Sequence, residues 1–256
     1  MAESALRKCE AAETNSVNIS DTTIYEALGY YRNHGSPSLR LKAFYYRGMI
    51  VWNRKDAGTA LENFILAEHY IRKRNNPLIA GKLYLAKSDV YLYLRETDNA
   101  IKDGLQAIEY FRKSDDMSGM PDACLSLSTA CLMSEKPDSA QMFLSQCKSY
   151  WQNMSDRQRS QYFANDIYVH AMQKADRDVV FQLIDNYIST IDASLIKWLY
   201  IASLYDIYGC GSLTLRALKR YENSPEFDSE SADYHYLMAR ALEKTGKYRE
   251  ALMSYD

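Results

Sequence analysis

The chain has 256 residues, 47% hydrophobic and 25% charged, with 31 Lys and Arg against 33 Asp and Glu for a net charge of −2. This is the balance of an ordinary globular protein and excludes a disordered chain; with a pI near 6.1 it also lacks the clustered basic charge that nucleic acid demands. Ten Gly and five Pro are too few for the tight turns of an all-β protein, so an all-α fold is expected.

Residues 1–38 read as an N-terminal helical segment. Its opening, MAESALRKCEAAE, has no apolar core of a signal peptide, and Arg7 and Lys8 ahead of Cys9 do not fit a lipoprotein processing site. A helix is predicted over residues 21–34, capped by Ser20 or Asp21 and ended by HGSP at Gly35. No apolar run approaches the roughly 20 residues that span a bilayer.

From residue 39 onward the chain repeats. ALENFILA begins at Ala60, AIKDGLQA at Ala100 and AQMFLSQC at Ala140, each 40 residues after the last. The same shift superimposes Gly48, Ser88 and Ser128, and Ala67, Ala107 and Cys147. Phe44, Tyr84 and Cys124 coincide, as do Val51, Tyr91 and Cys131, which flank the small residue at helical spacing. Breaks follow at 53–58, 95–100 and 134–140, rich in Asp, Thr, Ser and Pro, residues that stop one helix and cap the next, with Pro137 in a first turn. The reading is stacked helical hairpins whose small residues let two backbones approach.

Six units are expected, at about 41–77, 78–118, 121–152, 158–190, 195–224 and 231–256. In the fourth, the 40-residue shift puts Tyr168 at the small position and Val180 at the alanine position; the fifth turns at YGCGS, with Ala217 in its seam. The sixth stops within its second helix and would leave an apolar face uncovered, so the native chain is expected to continue past Asp256.

The order Ala239, Leu242, Gly246, Tyr248, Ala251 and Tyr255 in the sixth unit resembles the tetratricopeptide repeat (TPR), and Gly48, Ala60, Phe64 and Ala67 in the first agree with it. The resemblance covers about 39–256, although a period of 40 exceeds the usual 34 of that repeat. It implies a right-handed superhelix, an α-solenoid of about six hairpins behind the N-terminal segment, and a non-catalytic role in protein–protein or peptide binding. Residues 9–68 are further similar to repeat domains of envelope-anchored regulatory proteins of anaerobic Gram-negative gut bacteria. That likeness implies a scaffold within a larger signalling protein, with a periplasmic or cell-envelope location, a cytoplasmic one being the alternative.

In such repeats the first helices line the concave side, one position beyond the packing row. Here that row offers Tyr45, Met49, Trp52 and Asn53, then Leu85, Asp89, Leu92 and Tyr93, then Leu125, Thr129, Leu132 and Met133. The surface is apolar with a few polar points, suited to an extended or helical apolar segment. The Lys, Arg and Asn set that grips a C-terminal carboxylate in this family is missing from these rows. Two alternatives stand: a groove for a partner, or first helices buried because the 21–34 helix or native residues missing from this sequence fill the concavity, with Trp52 and Tyr93 the deciding side chains.

No catalytic or metal site emerges. His34, His69, His170 and His235 lack ligand spacing; Cys124, Cys131 and Cys147 fall on packing positions and read as core thiols. Arg72, Lys73 and Arg74 read as cations at a helix end. No cofactor, nucleic acid or membrane contact is expected, the oligomeric state stays open, and a ligand- or peptide-sensing domain that changes superhelical pitch is the alternative function.

Overall fold

In the computed structural model, which describes residues 2–14, 21–71 and 76–253, the repeat is written most clearly in its turns. Among the described residues six turns carry a left-handed residue: Lys55, Arg95, Glu135, Lys174, Gly209 and Gly246, with φ between 56° and 79°. From the second of these onward, the next amide reaches back five residues, as in Glu96 N to Tyr91 O and Lys136 N to Cys131 O, both 2.9 Å. This closes the exposed carbonyls of the preceding helix and reverses the chain. Only the last two use Gly, the residue that takes this conformation without steric cost.

Counting from these residues gives the register. Seven positions earlier lie Gly48, Ser88, Ser128, Ile167, Ala202 and Ala239, all buried. Five positions later lie Ala60, Ala100, Ala140, Thr214 and Ala251, also buried. Small side chains are needed there because the backbones nearly touch: a Cβ on Gly48 would meet the Phe64 ring at 2.3 Å, and the Ser88 hydroxyl donates to Ala100 O across the seam at 2.8 Å.

The fourth unit corrects the sequence alignment. Its left-handed Lys174 comes 39 residues after Glu135, so Ile167, 1% exposed, occupies the small position and not Tyr168. Two residues, Ala175 and Asp176, then separate Lys174 from the next helix, where a single residue does so in the other turns. The extra residue restores the 40-residue spacing, and Val180 enters the seam fully buried.

Fourteen α-helices lie among the described residues, with no strand. They divide into two units, Met1–Lys136 and Pro137–Asp256, and the division falls in the turn of the hairpin read as 121–152. In unit 1, α1 (Ala2–Thr14) packs on α2 (Asp21–His34) and α2 on α3 (Pro37–Asn53). Then α3 packs on α4 (Ala57–Glu68), α5 (Pro77–Tyr93) on α6 (Thr97–Arg112), and α6 on α7 (Met120–Met133). Unit 2 runs α8 (Pro137–Lys148), α9 (Asp156–Met172), α10 (Arg177–Thr190), α11 (Trp198–Ile207), α12 (Gly211–Glu222), α13 (Ala232–Lys244) and α14 (Tyr248–Met253), each in contact with a chain neighbour.

The N-terminal segment holds two helices where the sequence reading has one. The first, α1, buries the modest set Ala5, Leu6 and Cys9 in the core of the first hairpins, a stripe of mostly small residues that carries little periodic signal. Cys9, Cys124, Cys131 and Cys147 are all buried, and burial pushes three of these thiols up, Cys9 to about 11, Cys124 to about 12, and Cys131 in the same direction. Behind the seam of α5 and α6, Lys87 is held between Glu68 (2.7 Å) and Asp103 (3.1 Å), with Tyr84 donating to Glu68. Among the described residues no helix is long and apolar enough to cross a membrane. Ser20, the cations at 72–74 and Tyr255 lie outside the described residues.

Candidate functional site

The first helices of unit 1 enclose a cavity of about 240 Å³. Helix α3 supplies Tyr45, Met49 and Trp52 at helical spacing, α5 supplies Lys82, Leu85, Ala86 and Asp89, and the start of α7 supplies Asp122. Phe111 forms part of the wall beside Gly119, where a Cβ would strike the phenyl ring at 2.3 Å, so glycine is what lets the loop close on it.

Of the residues expected at a binding surface, Tyr45, Met49, Trp52, Leu85 and Asp89 meet here, while Asn53, Leu92, Tyr93, Thr129 and Met133 do not line the cavity. Tyr45 is only 2% exposed, because its phenol is turned inward to a hydrogen bond; it is a wall rather than a presented ring. Trp52 is half-buried, edge-on to Tyr93 at 5.3 Å, with the Lys55 ammonium 4.5 Å from its ring centre. Tyr93 itself is exposed, and the Thr129 hydroxyl is spent on Leu125 O at 3.0 Å. Leu125 and Leu132 are core residues, at 4% and 6% exposure. The third first helix therefore contributes less than its row suggests.

Asp89 is the acidic point of the α5 wall. It accepts from Ser126 Oγ at 2.9 Å, and Ser126 in turn lies 3.1 Å from Ser88, which bridges the helix seam. Burial pushes its carboxyl up to about 7; the Ser126 bond opposes that, Asp122 adds to it, and Lys55 opposes it.

At the other side sits a residue that the sequence reading missed. Glu13 of α1 accepts from Tyr45 Oη at 2.6 Å and Tyr46 Oη at 3.2 Å, and pairs with Lys82 at 2.8 Å. A turn earlier on α1, Glu10 pairs with Lys42. Burial and the adjacent Glu13 hold both phenols well above the ordinary tyrosine value, so they stay donors. The sequence reading found no Lys, Arg or Asn set for a carboxylate in these rows; the structure nonetheless holds one, a side-chain carboxylate of the chain itself. A signal for it existed. Lys42, Lys82 and Asp122 stand 40 residues apart, one turn ahead of the row that begins at Tyr45.

No protein-family model matches the chain, and no curated protein matches it. Among solved structures, a tetratricopeptide repeat protein from Parabacteroides merdae superimposes with a TM-score of 0.69, over 99% of this chain and 90% of the other, at 13% identity. The likeness shows a shared fold.

Proposed function

We propose, from a tetratricopeptide-repeat fold and the cavity on its first-helix row, that the chain is a non-catalytic recognition domain that binds a protein or peptide segment through unit 1. The observation that carries this reading is the cavity wall itself. Met49, Trp52 and Leu85 stay half-buried around an open space while their helix neighbours Ile50, Val51 and Leu83 are buried. Its volume favours an anchor side chain over a free ligand: small-molecule sites run to about 300–1,000 Å³, and 240 Å³ takes one or two side chains. A preformed wall on packed helices limits the ordering cost of binding. The regulatory part of the reading, a scaffold within a larger signalling protein, rests on the likeness of residues 9–68 to exported repeat domains.

A peptide array probed with the full chain, Trp52→Ala and Leu85→Glu tests it. Discrete peptides should bind the unaltered chain and lose at least about tenfold in affinity, roughly 1.4 kcal/mol, in each variant, with a melting temperature lowered by no more than about 3 °C. Peptides that bind all three chains alike remove the groove from the proposal.

A further inference from the structure

The Glu13 contacts have the form of a ligand in its site. One carboxylate takes a bond from two phenols and an ammonium, and a second, three residues earlier on the same helix, takes another ammonium. The four donors come from two successive first helices: Lys42, Tyr45 and Tyr46 share a face of α3, and Lys82 occupies on α5 the position that Lys42 occupies on α3. Charge-assisted bonds of this kind are stronger and more directional than neutral ones. Without a carboxylate, the buried Tyr45 phenol would lose an acceptor it holds at 2.6 Å, which is costly. The Lys42 and Lys82 ammonium groups would each lose the carboxylate they pair with. The donors therefore require an acidic occupant.

The seat is partly open to solvent. The carboxylates and ammonium groups keep 25% to 38% of their side-chain surface in solvent, so each ion pair is partly screened and contributes little alone. Glu13 also forms a wall of the very cavity proposed for a partner; whatever seats there meets it.

Building on the binding role proposed above, we infer that the Lys42, Tyr45, Tyr46 and Lys82 surface receives an acidic helical segment of a partner protein, with two carboxylates three residues apart, and that α1 is its intramolecular stand-in. Partner binding then proceeds by displacement of the C-terminal end of α1, with the bonds of Glu10 and Glu13 passing to the incoming segment. The effective concentration of a tethered segment, typically millimolar, sets the affinity a competitor must exceed.

The test uses the full chain and a labelled synthetic peptide with the sequence of residues 2–14, with Cys9→Ser in the peptide. The double variant Glu10→Gln/Glu13→Gln weakens the internal occupant, so it should bind the peptide at least about tenfold more tightly than the unaltered chain, and Lys82→Gln introduced alongside should abolish that gain. Equal affinity for the unaltered and double-variant chains, or binding indifferent to Lys82, overturns the inference. Should the double variant fold poorly, amide exchange on the unaltered chain decides: excess peptide should speed exchange of α1 amides at least about tenfold, and unchanged exchange overturns it. A chain that binds array peptides in a Trp52-dependent way yet ignores this peptide refutes the α1 stand-in alone; one that binds neither refutes the groove as well.

Discussion

Two aspartates on first helices, one in each unit and one helical turn apart in the register, meet opposite surroundings. Asp206 of α11 is locked between Arg240 at 3.0 Å and Lys244 at 2.7 Å, both on α13, in a side chain 7% exposed. Asp89 of α5 has the Ser126 hydroxyl as its hydrogen-bond donor, and its acidic neighbour Asp122 adds to the rise in its pKa. The same contrast runs through the neighbouring positions: Tyr168 packs against Tyr200 in a tilted ring pair at 5.0 Å in unit 2, whereas Met49, Trp52 and Leu85 border open space in unit 1. One register thus serves two ends. Where the row is satisfied by its own neighbours it holds the stack together, and where it is left partly unsatisfied it is available to something else.

The contrast can be broken by substitution. The largest effect is expected from Asp206→Ala, which takes from Arg240 and Lys244 the buried carboxylate they share; a loss of about 2 kcal/mol, or roughly 5 °C in melting temperature, should appear in thermal unfolding. Asp89→Asn should move stability the other way. The folded carboxyl titrates near 7 against 3.8 ordinarily, so between those values the folded state keeps a proton that the unfolded chain has lost, and stability falls as pH rises. Removing the charge should flatten that slope and raise stability at pH 8 by about 1 kcal/mol, read from urea midpoints between pH 4 and 8. If both substitutions destabilise alike, the distinction between the units is wrong. The smallest effect belongs to the turns: Glu135→Gly relieves a left-handed side chain at a helix end and should add about 0.5–1 kcal/mol, whereas the same change at an exposed mid-helix site should cost a similar amount.

Much of this was legible in the sequence. The alanines at 60, 100 and 140 are small because a neighbouring backbone lies against them, and a residue selected for size alone leaves a periodic trace. The turns left a weaker one. Four of the six left-handed positions hold Lys, Arg or Glu, so the strongest marker of a helix end, glycine, is missing where it would have fixed the fourth unit's register. The site was half legible for a similar reason. Met49, Trp52, Leu85 and Asp89 follow from helical periodicity, but Glu13 reaches Lys82 across 69 residues of chain, and no local pattern encodes a partner that distant. Helix α1, with Leu6 as its one large aliphatic side chain among the buried set, gave no reason to expect it.

The doubled spacer after Lys174 has a mechanical meaning. An α-helix advances about 100° per residue around its axis, so deleting Ala175 alone would swing α10 by more than a quarter-turn and carry Val180, Ile184 and Tyr187, all fully buried, out of the interior. A left-handed turn that comes one residue early and a connector longer by one are thus paired like compensating frameshifts: either change by itself disorients a helix, and together they are silent.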